Sequence, residues 1–324
     1  MSTADRDRGE GQTGDPSASH VLILNPAAGG APEADEVLAA VRAQGSDVSL
    51  QVTRDSGDAC VFAREAAESG ADALWVAGGD GTLHEVVLGL RDSGLERLPT
   101  VYPIPLGTGN DLVRSLGIPL DWDQAVEALG SSDARTVDLD VMEVDVDGES
   151  LVAINAVIAG NGGRIGEVLD SEGKAWWGPL AYLRSAVELA FELEAVPLVL
   201  RVDDGPERRE RLLNVVAANG RYAGHGVPIA PGARTDDGEL ELVTMGEATL
   251  PQVLAMMQAL LREEDPEHEA YRHERARSVT IEADGEGELP VSVDGENTTA
   301  RRIRVTLGSR RIPVRIPADE DVDE

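Results

Sequence analysis

The first half of the chain alternates short apolar runs with longer amphipathic stretches. The apolar runs predict strands at residues 21–24, 48–53, 73–77, 100–105 and 135–144. Apolar residues that recur about every 3.6 positions predict helices at residues 33–44, 58–69, 83–91 and 122–129. This regular alternation predicts an α/β domain with a parallel sheet, in which ligands bind at the carboxyl ends of the strands.

After about residue 145 the pattern changes to closely spaced strands. They are predicted at residues 151–158, 198–202, 212–218, 240–244, 278–283, 290–293 and 302–307. Two helices interrupt them, at residues 176–190 and 250–261. The simplest arrangement is a β-rich second domain packed on the α/β domain, with the active cleft between them.

The charge of the chain is strongly acidic, with 60 acidic and 28 basic residues and a formal net charge of -32. Such a charge argues against binding nucleic acid through phosphate neutralisation. Lys174 is the only lysine, and aromatic residues make up 3% of the chain. Acid-rich, lysine-poor surfaces of this kind resemble those of proteins from salt-accumulating, halophilic cytoplasms. The charge therefore indicates habitat rather than function.

Cysteine content and terminal composition predict a cytoplasmic protein. Cys60 is the only cysteine, so an internal disulfide is impossible, and five scattered histidines argue against a structural zinc site. The first eighteen residues are polar and lack the apolar run of a signal peptide. The apolar stretch at 179–200 contains too many charged residues for a membrane-spanning helix.

The sequence GGDGT at residues 78–82 lies between the predicted strand 73–77 and the helix predicted to begin near Leu83. Glycines let a phosphate approach the backbone, and a helix N-terminus offers N–H donors to it. Asp80 would repel a phosphate unless a cation lay between them, so the loop indicates ATP with Mg²⁺. The alternative is a tight strand-to-helix turn in which the Thr82 hydroxyl caps the helix.

Two further glycine-containing loops follow predicted strands. NPAAGG occupies residues 25–30, and PLGTGND occupies residues 105–111. In the second loop, Asn110 and Asp111 could cap the following helix, or Asp111 could connect the loop to the ligands of a metal. The chain has no GxxxxGK[ST] motif, so phosphate charge must be met by backbone N–H groups, arginines and metal.

Taken in chain order, these segments resemble the diacylglycerol kinase catalytic family, which includes soluble bacterial lipid kinases and sphingosine kinases. The resemblance extends from about residue 21 to residue 315. It rests on NPAAGG, Thr53 before GDA, GGDGT, PLGTGND, GPLAY, NGRYAGHG, the AP and DDG segments, and the DGE at residues 294–296. It implies an N-terminal α/β nucleotide-binding domain of the NAD kinase and diacylglycerol kinase type, followed by a β-sandwich-like domain.

The expected division of the chain follows from the composition and this resemblance. Residues 1–19 form a tail, and residues 20–145 form the ATP-binding domain, to which a strand at about 308–317 returns. Residues 146–307 form the lipid-binding domain, and residues 318–324 form an acidic tail.

The resemblance also implies roles for individual residues. The expected nucleotide-binding residues are Asn25, Thr53, Gly78, Gly79, Gly81, Thr82, Gly107, Thr108 and Asn110. Metal ligands are expected at Asp80, Asp111 and Asp237, and Asp138 is a candidate for the same metal or water network. Asp294, with Glu296 beside it, is the expected proton acceptor. Sphingosine kinases suggest the aspartate of the GGDGT loop instead, so Asp80 and Asp294 are rival catalytic residues.

Lipid contacts have fewer sequence signals. Lys174 and Arg221 are expected to contact lipid or phosphate. After Asn155, the chain lacks an aspartate that related kinases commonly carry in the glycine-rich segment, so the role of the loop at residues 160–166 stays open. Membrane contact is expected at the pair of tryptophans 176–177 and at the arginine clusters listed here: Arg208, Arg209 and Arg211, and Arg301, Arg302 and Arg304.

The resulting expectation is a cytoplasmic, peripherally membrane-associated lipid kinase that depends on ATP and Mg²⁺. Its substrate would be a lipid hydroxyl, diacylglycerol-like or dialkylglycerol, at the membrane surface, in a role in lipid metabolism and phospholipid biosynthesis. A homodimer is common in similar enzymes. Two alternatives are a soluble-metabolite kinase of the NAD kinase type and a non-catalytic nucleotide-binding regulator.

Overall fold

A computed structural model describes residues 12–13, 19–29, 32–45, 47–161 and 194–318. The chain forms two compact units. The first unit consists of Met1–Gly107, Pro119–Thr136 and Pro313–Glu324. The second unit consists of Thr108–Ile118 and Val137–Ile312.

The first sheet has seven strands, and its four central predicted strands lie within two residues of their expected bounds. The strands are β1 (Gln12–Thr13), β2 (His20–Leu24), β3 (Val48–Val52), β4 (Ala73–Gly78), β5 (Thr100–Pro105), β6 (Arg135–Leu139) and β20 (Ile312–Ile316). Their order is β1-β3-β2-β4-β5-β20-β6. Strands β3, β2, β4, β5 and β20 run parallel, and β1 is antiparallel to β3.

Four helices follow the strands of the first unit, as the apolar periodicity predicts. They are α1 (Ala34–Ala43), α2 (Asp58–Glu68), α3 (Asp80–Asp92) and α5 (Trp122–Gly130), while the short α4 (Asp111–Ser115) belongs to the second unit. The strands carry nearly continuous apolar residues because helices cover the sheet, and Leu22, Leu74, Trp75 and Ile104 are fully buried. The predicted α/β fold of this part of the chain is confirmed.

The second sheet has eleven strands, all paired antiparallel. They are β7 (Met142–Val146), β8 (Glu149–Ala153), β9 (Ala156–Gly160), β10 (Val196–Val202), β11 (Arg208–Ala218), β14 (Leu240–Gly246), β15 (Tyr271–Ala276), β16 (Ser278–Ala283), β17 (Leu289–Val293), β18 (Glu296–Ala300) and β19 (Arg302–Leu307). Two short strands, β12 (Tyr222–Ala223) and β13 (Val227–Pro228), pair separately.

The order of the second sheet is β18-β17-β9-β11-β10-β16-β19-β7-β8, and β14 joins β11 to β15. One apolar cluster contains Leu198, Leu200, Ile281 and Ile303. A separate cluster brings Val253, Met256 and Leu260 of α6 (Leu250–Leu260) together with residues of β11 and β14. The predicted β-rich part of the fold is confirmed.

Two strands predicted as continuous are each divided in the structure. The stretch 135–144 separates into β6 and β7 because the backbone N–H of Asp140 donates to the carbonyl of Thr235, 2.7 Å away, instead of continuing the ladder. The stretch 151–158 separates into β8 and β9 because the N–H groups of Ile154 and Asn155 donate to the carboxylate of Asp294.

The sequence did not predict the three two-residue strands β1, β12 and β13, or the longer strands β15 and β18, whose sequences lack an apolar face. β15 has the sequence YRHERA and β18 has the sequence ENTTA, and each pairs with one other strand among the described residues. Edge strands often carry charged side chains, which discourage pairing with another chain, and these charges obscure the apolar alternation. The predicted helix at 176–190 lies outside the described residues. Within the described ranges, no helix has the length and apolarity needed to cross a membrane.

Candidate functional site

The GGDGT loop joins β4 directly to α3. Helix α3 begins at Asp80, three residues before the predicted start at Leu83. The N-cap residue is Gly79, which has no side chain that could cap the helix. Thr82 therefore lies inside the first helical turn, and the alternative in which its hydroxyl caps the helix is wrong. The Thr82 hydroxyl is buried and accepts a hydrogen bond from the Asn25 side-chain amide at 3.0 Å.

Asn25 connects the loop after β2 to the GGDGT loop. Its backbone N–H donates to the carbonyl of Ala77 at 2.9 Å, and its Nδ2 donates to Thr82. Its Oδ1 accepts the N–H of Ala27 at 2.9 Å, which makes a local turn typical of asparagine. One side chain thus fixes two loops that were predicted separately.

Two glycines allow the GGDGT loop to pack closely. A Cβ at residue 78 would lie 2.5 Å from the Thr82 Oγ1, and a Cβ at Gly79 would lie 3.1 Å from the Cα of Gly107. The N–H of Leu106 donates to the carbonyl of Gly78 at 2.8 Å. The GGDGT loop and the start of the PLGTGND loop are therefore in direct contact at Gly79 and Gly107.

A cavity of about 380 Å³ opens beside these loops in the first unit, within the range of about 300–1,000 Å³ usual for small-molecule sites. Its lining consists of Asn25, Ala27, Ala28, Thr53, Arg54, Asp55, Ser56, Ala59, Gly79, Gly81, Thr82, Glu85 and Gly107. Six of the nine predicted nucleotide-binding residues are in this set. Of the others, Gly78 lies behind Thr82, while Thr108 and Asn110 belong to the second unit.

The wall of the cavity formed by residues 54–59 was missed as a whole. Glu85, one helical turn beyond Thr82, holds this wall in place. Its carboxylate accepts the hydroxyl of Ser56 at 3.2 Å and the backbone N–H groups of Gly57 and Ala59 at 2.9 and 3.2 Å. The glutamate at Thr82 plus three was the sequence signal, because positions three apart share a face of a helix.

Asp58 fixes the same loop from the other end. Its Oδ2 accepts the backbone N–H groups of Arg54 and Asp55 at 2.8 and 3.1 Å, and these bonds lower the pKa of the Asp58 carboxyl. Arg54 is the only basic residue among the described residues that line the cavity. The lining also contains the carboxylates of Asp55 and Glu85, so an anionic ligand in this cavity would rely on the Arg54 guanidinium, backbone amides and a bound cation.

Asp80 is the first residue of α3 and is partly buried. Within the described ranges, no three His, Cys, Asp or Glu side chains are grouped closely enough to hold a metal ion by themselves. Mg²⁺ usually takes one or two carboxylates together with phosphate oxygens and waters. One carboxylate, that of Asp80, is too few to hold a metal ion by itself. It fits Mg²⁺ that binds together with a nucleotide, whose phosphate oxygens supply further ligands.

In the second unit, Asp111 holds a neighbouring loop instead of capping its own helix. Its carboxylate accepts the backbone N–H groups of His225 and Gly226 at 3.2 and 2.5 Å. Asn110 is the N-cap residue of α4 in a left-handed conformation, with no side-chain capping bond. The Ser115 hydroxyl accepts the N–H of Arg221 at 3.0 Å. Asp111 and Ser115 together attach α4 to the NGRYAGHG loop.

The DDG turn contains a buried aspartate contact that the sequence did not indicate. Asp237 accepts the N–H of Glu239 at 3.1 Å, and Asp138 is exposed on β6. Asp140 is instead 2% exposed, accepts the N–H of Gly238 at 2.7 Å and pairs with Arg311 at 2.8 Å. Burial raises the pKa of the Asp140 carboxyl, while the Gly238 N–H and the Arg311 charge act in the opposite direction.

The DGE segment forms the two-residue turn between β17 and β18, with Val293 opposite Glu296. Asp294 has a positive φ of 47° and accepts the N–H groups of Ile154, Asn155 and Ala156 at 2.7, 3.0 and 2.9 Å. Glu296 is exposed at the start of β18.

Of the residues expected to contact lipid or membrane, the structure describes Arg221 and the two arginine clusters. Arg221 is exposed, and its Nε donates to the carbonyl of Ala233 at 3.2 Å. The three arginines of the 208–211 cluster pair with Glu274, Asp284 and Glu247. Arg302 pairs with Glu282, and Arg301 donates to backbone carbonyls. These contacts supply no support for a membrane-facing basic surface. Lys174, Trp176 and Trp177 lie outside the described residues.

Comparison with protein families gives two matches. Residues 19–142 match the diacylglycerol kinase catalytic domain, and residues 155–314 match the YegS C-terminal NAD kinase beta sandwich-like domain. A putative diacylglycerol kinase structure from Bacillus anthracis is 27% identical, with a TM-score of 0.73, 91% of this chain covered and 94% of that one. An ATP complex of an NAD kinase from Archaeoglobus fulgidus shares the fold, at 13% identity and a TM-score of 0.50, with 93% and 94% covered.

Relatives in sequence agree with the structural matches. A probable lipid kinase YegS-like of Stenotrophomonas maltophilia is 32% identical over 308 residues, which cover 92% of this chain and 96% of the relative. A diacylglycerol kinase of Staphylococcus carnosus is 32% identical over 264 residues, or 81% and 82% of the two chains. The predicted family membership is confirmed. The chain therefore belongs to the family of YegS-like and diacylglycerol kinase-like lipid kinases.

Proposed function

We propose that this protein transfers the γ-phosphoryl group of ATP, in the presence of Mg²⁺, to the hydroxyl of a diacylglycerol-like or dialkylglycerol lipid. The observation that carries the proposal is the glycine-lined cavity of the first unit, whose lining includes the hydrogen-bonded pair Asn25 and Thr82. Phosphoryl transfer depends mainly on alignment and on charge stabilisation, and such a cavity can supply both through backbone amides.

Each group in the first unit has a proposed task. The first-turn amides of α3 and the guanidinium of Arg54 bind phosphate oxygens, because both are donors without an acceptor role. Asn25 and Thr82 keep the glycine loop in place. Asp80 would hold Mg²⁺, which when bound would supply stabilisation of the charge that develops during transfer.

The second unit is proposed to bind the lipid, in agreement with the lipid kinases named among the relatives. A lipid alcohol resides in a membrane, so the proposal includes peripheral association with membrane surfaces. Flotation with liposomes of phosphatidylglycerol and diacylglycerol in molar salt tests this part. If the protein stays at the bottom of the gradient with and without lipid, peripheral association is contradicted. A homodimer and the absence of nucleic-acid binding remain predictions.

A kinase assay with labelled ATP tests the central proposal. The full-length protein is incubated with Mg²⁺ and mixed micelles of diacylglycerol, dialkylglycerol or sphingosine, or with NAD, at low and at molar potassium chloride. We expect label in a glycerolipid, and none when a chelator removes Mg²⁺. Label in NADP would favour the soluble-metabolite alternative. Absence of transfer to any acceptor, despite ATP binding, would favour the non-catalytic alternative.

A matched pair of glycine variants relates the activity to the cavity. Gly79→Ala places a Cβ 3.1 Å from the Gly107 backbone, whereas a Cβ at Gly287 has nothing within 4 Å. We expect Gly79→Ala to reduce transfer and Gly287→Ala to leave it unchanged. Equal activity of both variants would contradict the placement of the nucleotide at this loop.

A further inference from the structure

Three aspartates of the second unit occupy equivalent positions in the β-structure. Asp147, Asp203 and Asp294 each follow directly on the last residue of a strand, β7, β10 and β17 respectively. All three have a left-handed backbone, with φ values of 51°, 48° and 47°. Aspartate tolerates this conformation better than most residues do.

The first two aspartates bind a neighbouring strand in the same way. The N–H of Asp147 donates to the carbonyl of Arg302 at 3.0 Å, and its carboxylate accepts the N–H groups of Arg301 and Arg302, both at 2.8 Å. The N–H of Asp203 donates to the carbonyl of Ser278 at 2.9 Å, and its Oδ1 accepts the N–H groups of Arg277 and Ser278, both at 2.9 Å.

Asp294 repeats this pattern and extends it. Its N–H donates to the carbonyl of Ala156 at 3.0 Å, while its carboxylate accepts the N–H groups of Asn155 and Ala156 and a third one from Ile154. Backbone N–H groups in a strand break lose their ladder partners, and a buried N–H without an acceptor is costly. The carboxylate replaces those partners.

Strand register shows that the three arrangements are equivalent. The residues before the aspartates are each paired with the second residue of a strand: Val146 with Ile303, Val202 with Val279, and Val293 with Val157. Each aspartate therefore faces the corner where the chain enters β19, β16 or β9 from the strand before it. Two of these corners lie outside every motif that resembles the kinase family, so the arrangement needs no catalytic explanation.

We infer that Asp294 is a positioning residue that holds the corner of residues 154–156, and that it is not the proton acceptor for the lipid hydroxyl. The inference rests on the proposed function and leaves Glu296 and Asp80, the other two expected catalytic residues, as the candidates for proton acceptor. All four lone-pair directions of a carboxylate lie near its plane, and three backbone donors already approach those of Asp294.

The corner that Asp294 holds is hydrogen-bonded, through Asn155, to the NGRYAGHG loop. Asn155 donates from Nδ2 to the carbonyl of Tyr222 at 2.6 Å, and its own carbonyl accepts the N–H groups of Asn219 and Gly220 at 2.8 and 3.1 Å. The NGRYAGHG loop, which Asp111 binds at its other end, therefore depends on the corner that Asp294 holds. Loss of Asp294 would displace this loop.

Two substitutions separate positioning from proton transfer. Asp294→Asn keeps one oxygen that can accept the N–H groups of Asn155 and Ala156, whereas Asp294→Ala keeps none. We expect kcat to be highest in the wild type, lower in Asp294→Asn and lowest in Asp294→Ala. The loss of kcat in Asp294→Asn should be much smaller than the ~10²–10⁴-fold loss that removal of a general base causes. We also expect the acidic limb of the pH–rate profile to persist in Asp294→Asn.

Asp203 supplies the matched structural control. Asp203→Ala and Asp294→Ala should both lower the denaturant midpoint of unfolding, and only Asp294→Ala should lower kcat. If Asp294→Asn and Asp294→Ala are equally inactive while Asp294→Asn unfolds like wild type, the inference is overturned. If Asp294→Ala does not fold, the comparison of Asp294→Asn with Asp203→Asn decides in the same way.

The inference and the proposed function can fail separately. If the wild-type protein phosphorylates no lipid, the proposed function fails, and the unfolding measurements still test whether Asp294 holds the corner of residues 154–156. Wild-type denaturant midpoints for both alanine variants would contradict this structural role even in an active enzyme.

Discussion

The side-chain amide of Asn25 donates to the hydroxyl of Thr82, 3.0 Å away and 57 positions later in the chain. Thr82→Val keeps the shape of the side chain and removes the acceptor. A neutral hydrogen bond contributes about 1 kcal/mol, so we expect roughly fivefold weaker ATP binding. Calorimetric titration measures this change. Thr100→Val, on β5 and outside the cavity, should bind ATP like wild type. Unchanged affinity in Thr82→Val would contradict a role of this bond in nucleotide binding.

Arg54 is the basic residue of the described cavity lining, so it should recognise phosphate rather than adenosine. We expect Arg54→Met to weaken binding of ATP and ADP by roughly 10–100-fold, the effect of about 1.5–3 kcal/mol from a hydrogen bond to a charged group. Adenosine affinity should change little. Arg64→Met on α2, outside the lining, is the matched control. Equal losses for ATP and adenosine would place Arg54 against the nucleoside instead.

Glu85 should affect the binding of adenosine and ATP alike, because its carboxylate fixes the cavity wall and has no expected contact with phosphate. Glu85→Ala removes the acceptor of the Ser56 hydroxyl and of the Gly57 and Ala59 N–H groups. We expect weaker binding of adenosine and ATP alike, together with faster hydrogen exchange at residues 56–59. Glu96→Ala, which changes an exposed glutamate after α3, should change neither. Normal exchange in Glu85→Ala would show that the loop holds its shape without this carboxylate.

Stability at alkaline pH should depend on His273. Its hydrogen bond to Glu241 at 2.5 Å, with a second one to Asp265, raises the pKa of the imidazole from 6.5 to about 9. A pKa raised by folding stabilises the protein fully below pH 6.5, and the stabilisation is lost as the pH rises through about 9. The linked loss of unfolding free energy is at most roughly 3–4 kcal/mol.

Guanidinium unfolding at pH 7 and pH 10, at one salt concentration, measures this linkage. The free energy of unfolding should fall at pH 10 in wild type and change much less in His273→Gln. His225→Gln changes an exposed histidine and should retain the wild-type response. A wild-type protein equally stable at both pH values would contradict the ion-pair assignment.

Salt dependence follows from the net charge of -32. Self-repulsion among acidic residues destabilises a compact chain, and molar salt shortens the Debye length to about 3 Å. We expect the melting temperature to rise from low to molar potassium chloride. Surface ion pairs such as Arg208–Glu274 weaken over the same range, but exposed pairs contribute little. A melting temperature that falls with added salt would show that the ion pairs outweigh the repulsion.

Local sequence signals predicted the strands, helices and glycine loops of the first unit, because these elements follow short-range periodicity. The GGDGT loop lies between β4 and α3, as expected, since an apolar run followed by glycines marks the end of a strand. The start of α3 was placed three residues late because Asp80 and Thr82 were taken for loop residues. Nothing in residues 53–59 alone shows that Glu85 supports them, since that contact joins two helices.

By itself, the sequence determined the order of α/β and β elements, the glycine loops and the family of the chain, because these depend on near neighbours along the chain. Only the tertiary structure decided which backbone groups the individual carboxylates contact. Asp294 meets Asn155 across 139 positions, and Asp111 meets Gly226 across 115. In the sequence each is a polar residue of a turn. Their partners are backbone N–H groups, which every residue except proline carries, so no side-chain pattern could reveal these contacts.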